Sequence, residues 1–234
     1  SLREEIGKYL VVFILMAATI GFVSGFLVAD GSMLTAYDNS FQKYNIEDGK
    51  FETEEKIYKN QQEDIEKKGV TLYENFYVEK ALLNGTTLRI FKNRTKVDKV
   101  CLMKGKLPEK TGEIAIDRMY ADNNKLSVGD SLQSGKRKWK ITGLVAFSDY
   151  SALFQNNNDT MFDAVKFGAA VVTEEEFSSF NQSQLVYNYA WTYTHKPKTE
   201  IQEKKKSEDF MEEISKDVTL EEFVPQYLNQ AIHF

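Results

Sequence analysis

One segment constrains the fold more than any other: Tyr9 to Ala29 form an uninterrupted run of 21 residues without a charge. A helix needs about 20 apolar residues to cross the hydrocarbon core of a bilayer, so this run has the length of one span. The alternative is a cleavable signal peptide, whose apolar region has only about 7 to 15 residues and ends in a small-x-small site. The run is longer than that, and Leu27 to Ala29 make an imperfect cleavage site. We therefore predict a transmembrane helix over residues 9–30.

The charges on either side of this segment indicate its orientation. Arg3 and Lys8 precede it, whereas Asp30 and Asp38 follow it. Because positive charge stays on the cytoplasmic side of a membrane span, residues 1–8 are predicted to be cytoplasmic. The sequence therefore predicts a protein of the cell membrane whose main domain is extracellular.

Two glycines inside the predicted helix mark a candidate packing face. Gly21 and Gly25 form a G-x-x-x-G pair. Small residues at this spacing let a second helix approach closely, although glycine is common in membrane helices for other reasons. We predict that Gly21 and Gly25 form a helix-packing face.

Composition excludes several function classes. The net charge is −5 and no basic stripe is present, so we expect no nucleic-acid partner. Neither a phosphate-binding G-x-x-x-x-G-K-[ST] loop nor a G-x-G-x-x-G motif occurs, so no nucleotide cofactor is expected. The single cysteine cannot form an internal disulfide.

Catalytic and metal-binding hypotheses find little support in the sequence. The two histidines, His195 and His233, belong to different predicted elements, and no ligand motif accompanies them. The sharpest enzymatic hypothesis is a transpeptidase that uses Cys101 and His195. However, Cys101 lies in an apolar, strand-like stretch, which is typical of a buried and inert thiol. We expect no catalytic residue, no metal site, no cofactor and no enzymatic activity.

The chain after residue 30 predicts an α+β fold. The N-terminal transmembrane helix is followed by an α/β extracytoplasmic domain in two parts, residues 31–98 and 166–234. A small β-rich module, residues 99–165, is predicted to interrupt that domain.

Local signals place individual elements. Thr53 is a candidate N-cap for a helix over residues 54–68, and Asn84-Gly85 predicts a hairpin turn. Alternating aromatic residues from Leu185 to His195 predict a strand, and residues 148–163 predict a surface loop. Further helix caps are expected at Asp117, Thr173 and Thr199, the last two as capping boxes.

A dense pattern in the middle of the chain resembles a known family. Residues 103–117 read MKGKLPEKTGEIAID, residues 126–132 read LSVGDSL, and residues 139–145 read WKITGLV. This pattern resembles the extracytoplasmic domain of FtsX/MacB-type ABC transporter permeases, in which the domain follows the first membrane helix. The stretch at 44–49, YNIEDG, and the ending at 225–234 look similar to a Gram-positive bacterial branch of that family.

The resemblance implies a transport role without catalysis. The domain would relay ATP-driven conformational change to an external substrate or partner. The implied partners are a separate cytoplasmic ATPase subunit, further permease helices or a second permease copy, and a lipid, peptide or protein substrate. Such permeases carry four membrane helices, so the resemblance implies that this chain is a fragment. The alternative is a single-pass, membrane-anchored binding or sensor domain without a transport role.

Overall fold

A computed structural model describes residues 2–149 and 165–226. Most of the predicted loop at 148–163 and most of the ending at 225–234 lie outside the described residues. The chain forms two compact units, residues 1–43 and 44–234.

The first helix is longer than the sequence predicts. Helix α1 runs from Leu2 to Tyr44 without a break, or about 65 Å at 1.5 Å per residue. The prediction ended at residue 30, where the apolar run stops, but no proline follows to break the backbone. The helix ends instead at Asn45, whose φ of 49° is left-handed, a conformation that asparagine tolerates at helix ends.

The second unit combines strands with short helices, which confirms the α+β class. Its described strands are β1 (Gly49–Thr53), β2 (Val70–Glu74), β3 (Tyr77–Ala81), β4 (Thr87–Lys92), β5 (Cys101–Gly105), β6 (Glu113–Asp117), β7 (Ser131–Ser134), β8 (Arg137–Ala146), β9 (Phe167–Val172), β10 (Tyr187–Tyr193) and β11 (Leu220–Pro225). Its described helices are α2 (Lys59–Glu66), α3 (Arg118–Asn123), α4 (Glu174–Ser178) and α5 (Glu200–Ile214), with a 3₁₀ turn at Gln182–Gln184.

A four-stranded sheet joins the two ends of this unit. Its order is β11-β1-β10-β2, and all three pairings are antiparallel. Two β-α-β units are interleaved in it, because β10 lies between β1 and β2 while β1 lies between β10 and β11. The sequence therefore supplies this sheet from two separated pieces.

The strands between β2 and β10 form a second, seven-stranded sheet. Its order is β3-β4-β9-β6-β8-β5, and β7 also pairs with β8. The pairs β4–β9 and β6–β8 are parallel, so the sheet is mixed. The strands of the predicted 99–165 module therefore share one sheet with β3, β4 and β9. In sequence, β3 and β4 precede that module and β9 follows it.

Aromatic side chains fill the core beside the four-stranded sheet. Trp191 on β10 is fully buried and stacks on Phe223 of β11, with ring centroids 4.8 Å apart. Phe210 of α5 lies 5.2 Å from the same indole, and Phe51 of β1 lies 6.0 Å away. These contacts hold α5 against the sheet, since aromatic residues bury the most apolar area per side chain.

Most local signals in the sequence are confirmed at least in part. The capping box predicted at Thr199 is confirmed only in half, because the Gln202 side chain accepts from the N–H of Lys198 and not from that of Thr199. Asp117 and Thr199 cap α3 and α5 through bonds from the backbone N–H groups of Tyr120 and Gln202. The Asn84-Gly85 turn joins the antiparallel strands β3 and β4. The helix predicted over 54–68 was wrong at its start, because Thr53 belongs to β1, where it pairs with both neighbouring strands.

The predicted capping box at Thr173 is confirmed only in half. The Thr173 hydroxyl caps α4 by accepting from the backbone N–H of Glu176. The Glu176 carboxylate, instead of returning to the cap, accepts bonds from Trp139 Nε1 at 2.9 Å and Arg137 Nη1 at 3.0 Å. It also accepts from the N–H of Gly112 at 2.9 Å. Glu176 therefore ties α4 to the seven-stranded sheet.

Candidate functional site

Helix α1 carries the membrane-spanning signal. Among the described residues, one helical segment, Gly7–Gly25, is long and apolar enough to cross a bilayer. Its side chains are exposed, which suits contact with lipid or with other membrane helices. A methyl group added at Gly21 or Gly25 would meet nothing within 4 Å, so both positions offer open space on the helix surface. Their role as a packing face stays a prediction.

Cys101 and His195 are placed on different sheets. Cys101 begins β5, an edge strand of the seven-stranded sheet, whereas His195 follows β10 of the four-stranded sheet. The prediction that Cys101 is a buried thiol was wrong: it is partly exposed, and its Sγ lies 3.8 Å from Met103 Sδ. The apolar appearance of this stretch comes from Leu102 and Met103, which are 44% and 52% exposed.

The most unusual side-chain cluster combines three carboxylates. Glu47, Asp98 and Asp149 are 1%, 0% and 6% exposed, and each places a carboxylate oxygen within 4.8 Å of the others. Because buried charges are costly unless they are paired, such a group requires compensation. We call these three residues the carboxylate cluster.

Strand pairing explains why the cluster assembles. Cys101 pairs with Ala146 at the end of the β5–β8 ladder, so the residues just before β5 and just after β8 lie side by side. Asp98 and Asp149 occupy these positions. Glu47 joins them because the segment after α1 is hydrogen-bonded to the loop that carries Asp98. The N–H of Asp98 donates to the carbonyl of Asn45 at 3.0 Å.

Polar contacts fix two of the three carboxylates. Asp98 accepts bonds from the backbone N–H of Glu47 at 2.9 Å and from the amide of Asn75 at 3.3 Å. Asp149 lies 2.7 Å from the guanidinium of Arg94 in an ion pair with both side chains only 3% exposed. The guanidinium itself stacks over the ring of Phe91, 4.2 Å from its centroid.

Burial perturbs the acidity of the cluster. Desolvation is the main reason that the pKa of Glu47 is raised to about 7, and the neighbouring charge of Asp149 acts in the same direction. Desolvation also raises the pKa of Asp98 well above its ordinary value, with Glu47 and Asp149 acting in the same direction. The charges of Lys50 and Arg94 oppose the rise at Glu47.

A polar cleft lies next to the cluster. It has a volume of about 410 Å³, and Asn75 and Arg94, which both contact the cluster, are in its walls. Its rim carries Lys92 paired with Glu174 at 3.3 Å. The three carboxylates themselves are not among the residues that line this cleft.

The segment that follows α1 is anchored to both sheets. The N–H of Asp48 donates to the carbonyl of Trp191 at 2.8 Å, and its carboxylate accepts from the N–H of Tyr193 at 2.7 Å. Glu47 is bonded to Asp98 beside the seven-stranded sheet. Residues 45–48 therefore connect the two sheets directly after the helix ends.

Two glycines of the recognised pattern have a structural reason. Gly105 and Gly143 face each other across the β5–β8 pair. A Cβ at Gly105 would lie 2.2 Å from the carbonyl oxygen of Thr142, and one at Gly143 would lie 2.4 Å from that of Lys106. Only glycine fits where two backbones approach so closely, so this part of the pattern encodes the fold of the sheet.

Sequence reasoning missed the carboxylate cluster entirely. Glu47 and Asp98 are 51 residues apart, and no motif of fixed spacing links them. The sequence signal was weak: it consists of an Asn and an Asp, residue types that tolerate a left-handed backbone. Asn45 and Asp98 do adopt that conformation, with φ of 49° and 47°.

Comparison with known proteins returns structural matches alone. No family model matches the chain, and no curated protein matches it. The periplasmic region of MacB from Actinobacillus actinomycetemcomitans is 11% identical, with a TM-score of 0.45, and the match covers 79% of this chain and 91% of that one. The extracellular domain of the noncanonic ABC-type transporter YknZ from Gram-positive bacteria is 12% identical, with a TM-score of 0.37 and coverage of 68% and 88%.

A third match is a domain of a permease protein from Porphyromonas gingivalis. It is 13% identical, with a TM-score of 0.29, and covers 66% of this chain and 69% of that one. These neighbours are a periplasmic region, an extracellular domain and a permease domain. At TM-scores below 0.5 they give no residue-by-residue correspondence with this chain.

Proposed function

We propose that this chain is the first membrane helix and the extracytoplasmic domain of an ABC transporter permease. The observation that carries the proposal is the pattern over residues 103–145, which resembles that family. In the structure it forms a continuous part of the seven-stranded sheet, from β5 to β8. Its position, after an N-terminal apolar helix, also agrees with the layout of such permeases.

In this proposal, the domain relays ATP-driven movement to an external substrate or partner. Helix α1 continues from the apolar segment to Tyr44 without a break. The next four residues are bonded to both sheets, as described above. A displacement of the chain at Tyr44 would therefore reach both sheets through residues 45–48.

The proposed partners follow from this role. A separate cytoplasmic ATPase would supply the energy, because the chain contains no phosphate-binding loop. Further permease helices, or a second permease copy, would pack against α1 at Gly21 and Gly25. The substrate would be a lipid, a peptide or a protein outside the cell, with residues 1–8 in the cytoplasm.

The test is purification of the natural polypeptide from its own membranes, followed by intact-mass measurement and an ATP hydrolysis assay. We expect a polypeptide with further membrane helices that co-purifies with an ATP-hydrolysing subunit. A polypeptide with one membrane helix and no bound ATPase would refute the proposal. It would leave a membrane-anchored binding or sensor domain.

The domain is proposed to be non-catalytic. Cys101 is the one thiol, and the only contact of its Sγ among the described residues is with Met103. We expect Cys101→Ala to leave transport-coupled ATP hydrolysis and cell phenotype unchanged. Loss of either in a variant that is stably inserted in the membrane would favour the enzymatic hypothesis instead.

A further inference from the structure

The carboxylate cluster has an unbalanced charge. The ammonium of Lys50, which is partly exposed and lies outside the cluster, offsets part of the negative charge at Glu47. Among the described residues of the cluster itself, three carboxylates meet one guanidinium, that of Arg94, so two negative charges remain there when all four groups are ionised. All four residues are less than 9% exposed. Water therefore cannot screen the excess, and a buried carboxylate without a partner is strongly unfavourable.

Glu47 shows this imbalance most directly. Its side chain is 99% removed from solvent, yet neither carboxylate oxygen accepts a hydrogen bond from a donor among the described residues. Buried polar atoms in native proteins nearly always have a partner, so these oxygens require either a proton shared with the neighbouring Asp98 carboxyl or a bound ligand. One of these oxygens lies within 4.8 Å of both neighbouring carboxylates.

We propose that Glu47, Asp98 and Asp149 bind one divalent cation, with Ca²⁺ as the preferred ion. A divalent charge balances the two negative charges that Arg94 leaves over. Carboxylate oxygens are the ligands that Ca²⁺ prefers, at about 2.3 to 2.6 Å, so ligands on opposite sides lie up to about 5 Å apart. Three oxygens that all lie within 4.8 Å of one another are close enough to share one such ion.

Mg²⁺ fits the same three residues less well. Its ligands lie at about 2.0 to 2.1 Å in a nearly ideal octahedron, so opposite oxygens are at most about 4.2 Å apart. Ca²⁺ also tolerates irregular geometry, which suits three carboxylates whose positions are set by separate loops.

The cation would fasten three chain segments together. Glu47 lies directly after α1, Asp98 precedes β5, and Asp149 follows β8. Binding would therefore fix residues 45–48 to the seven-stranded sheet. The inference rests on the geometry of the cluster and not on the proposed transport role, so either can fail without the other.

Protons are the alternative means of neutralising the carboxylate cluster. If Glu47 and Asp98 remain protonated, the cluster needs no metal, and the two states can be separated by experiment. The test uses the full 234-residue chain in detergent micelles, without any ATPase. Chelator-treated protein is titrated with CaCl₂, and separately with MgCl₂, by calorimetry at pH 7.5, while thermal unfolding is followed by circular dichroism.

We expect one Ca²⁺ to bind per chain and to raise Tm by about 5 to 10 °C at a hundredfold excess over Kd. Glu47→Gln and Asp98→Asn should weaken binding at least about tenfold, because affinity follows the number of charged ligands. The matched control is Glu52→Gln, which alters another carboxyl whose pKa is raised by burial, outside the cluster. That variant should bind Ca²⁺ as the unmodified chain does.

Three outcomes would overturn the proposal. The first is no heat of binding and no change in Tm with CaCl₂, which would mean that protons, and not a metal ion, neutralise the carboxylate cluster. The second is binding that Glu47→Gln and Asp98→Asn leave intact. The third is equal loss of binding in Glu52→Gln. Because Glu47→Gln removes a buried charge without changing size, we expect that variant to fold in the absence of metal.

Discussion

Gly49 is the position where a single added methyl group should destabilise the domain most clearly. It begins β1, one residue after the anchored segment 45–48. A Cβ built there lies 2.2 Å from Cζ2 and 2.3 Å from Cη2 of Trp191, and 2.9 Å from the backbone of Pro225. Ordinary carbon contacts are about 3.5 to 4.0 Å, so the indole must move by more than 1 Å.

The indole has little room for that movement. Trp191 is fully buried between Phe223 and Phe210. Overpacking a core costs about 1 to 3 kcal/mol, and the rigid neighbours place Gly49→Ala near the upper end, at about 3 kcal/mol. For a domain of this size, that corresponds to a fall in Tm of about 6 to 12 °C.

A double-mutant cycle measures the predicted clash. Trp191→Phe lacks both indole atoms that the new methyl group would meet, so Gly49→Ala should cost at least about 1 kcal/mol less in that background, where the 2.9 Å approach to the backbone of Pro225 remains. Stability is measured by urea unfolding with circular dichroism. The matched control is Gly21→Ala, which makes the same substitution in open space and should leave the stability of the domain unchanged.

Two results would refute this reasoning. One is a Gly49→Ala variant as stable as the unmodified chain, which would mean that β1 shifts at no cost. The other is an equal loss of stability in the presence and in the absence of the Trp191 ring, which would place the strain elsewhere in β1.

Three other perturbations have defined outcomes. The pKa of Glu47, about 7, lies above its ordinary 4.5. In the presence of a chelator, the protonated Glu47 carboxyl therefore contributes fully to stability below about pH 4.5, and this contribution is lost as the pH rises to 7. Glu47→Gln should therefore gain stability relative to the unmodified chain over that range in urea unfolding; a constant difference would contradict this. Gly21→Ile combined with Gly25→Ile should abolish co-purification with partner helices without changing the Tm of the domain, and retained co-purification would exclude this packing face. Glu176→Ala should destabilise the domain by about 2 kcal/mol, because it leaves the buried Trp139 Nε1 without its acceptor, whereas Arg137, whose side chain is 37% exposed, keeps its bonds to Ser179; a loss below about 1 kcal/mol by urea unfolding would contradict this.

Elements governed by neighbouring residues could be predicted from the sequence. The Asn84-Gly85 turn, the cap at Asp117 and the cap at Thr199 depend on backbone groups within a few residues, and all three are confirmed. The apolar run of α1 could also be identified, because its length has to match a bilayer. Its continuation to Tyr44 could not, because only the absence of a helix breaker allows it.

Elements governed by distant partners could not be predicted. Thr53 has the chemistry of a helix cap, but pairing with Tyr187 and Leu220 holds it in a strand. Glu176 has the position of a capping-box residue, but the Trp139 indole and the Arg137 guanidinium compete for its carboxylate. In both cases a contact across the fold outweighs a local preference worth about 1 kcal/mol.

The carboxylate cluster extends this reasoning from fold to function. Its members are brought together by the β5–β8 ladder and by the bond between Asp98 and Asn45, and neither is visible as a local pattern. A site assembled in this way depends on the whole domain being folded. It also lies where α1 enters that domain, so whatever neutralises Glu47 determines how firmly residues 45–48 are held. If a cation does so, its removal would loosen the segment through which the helix acts on both sheets, and the site would be a point of control over the proposed relay.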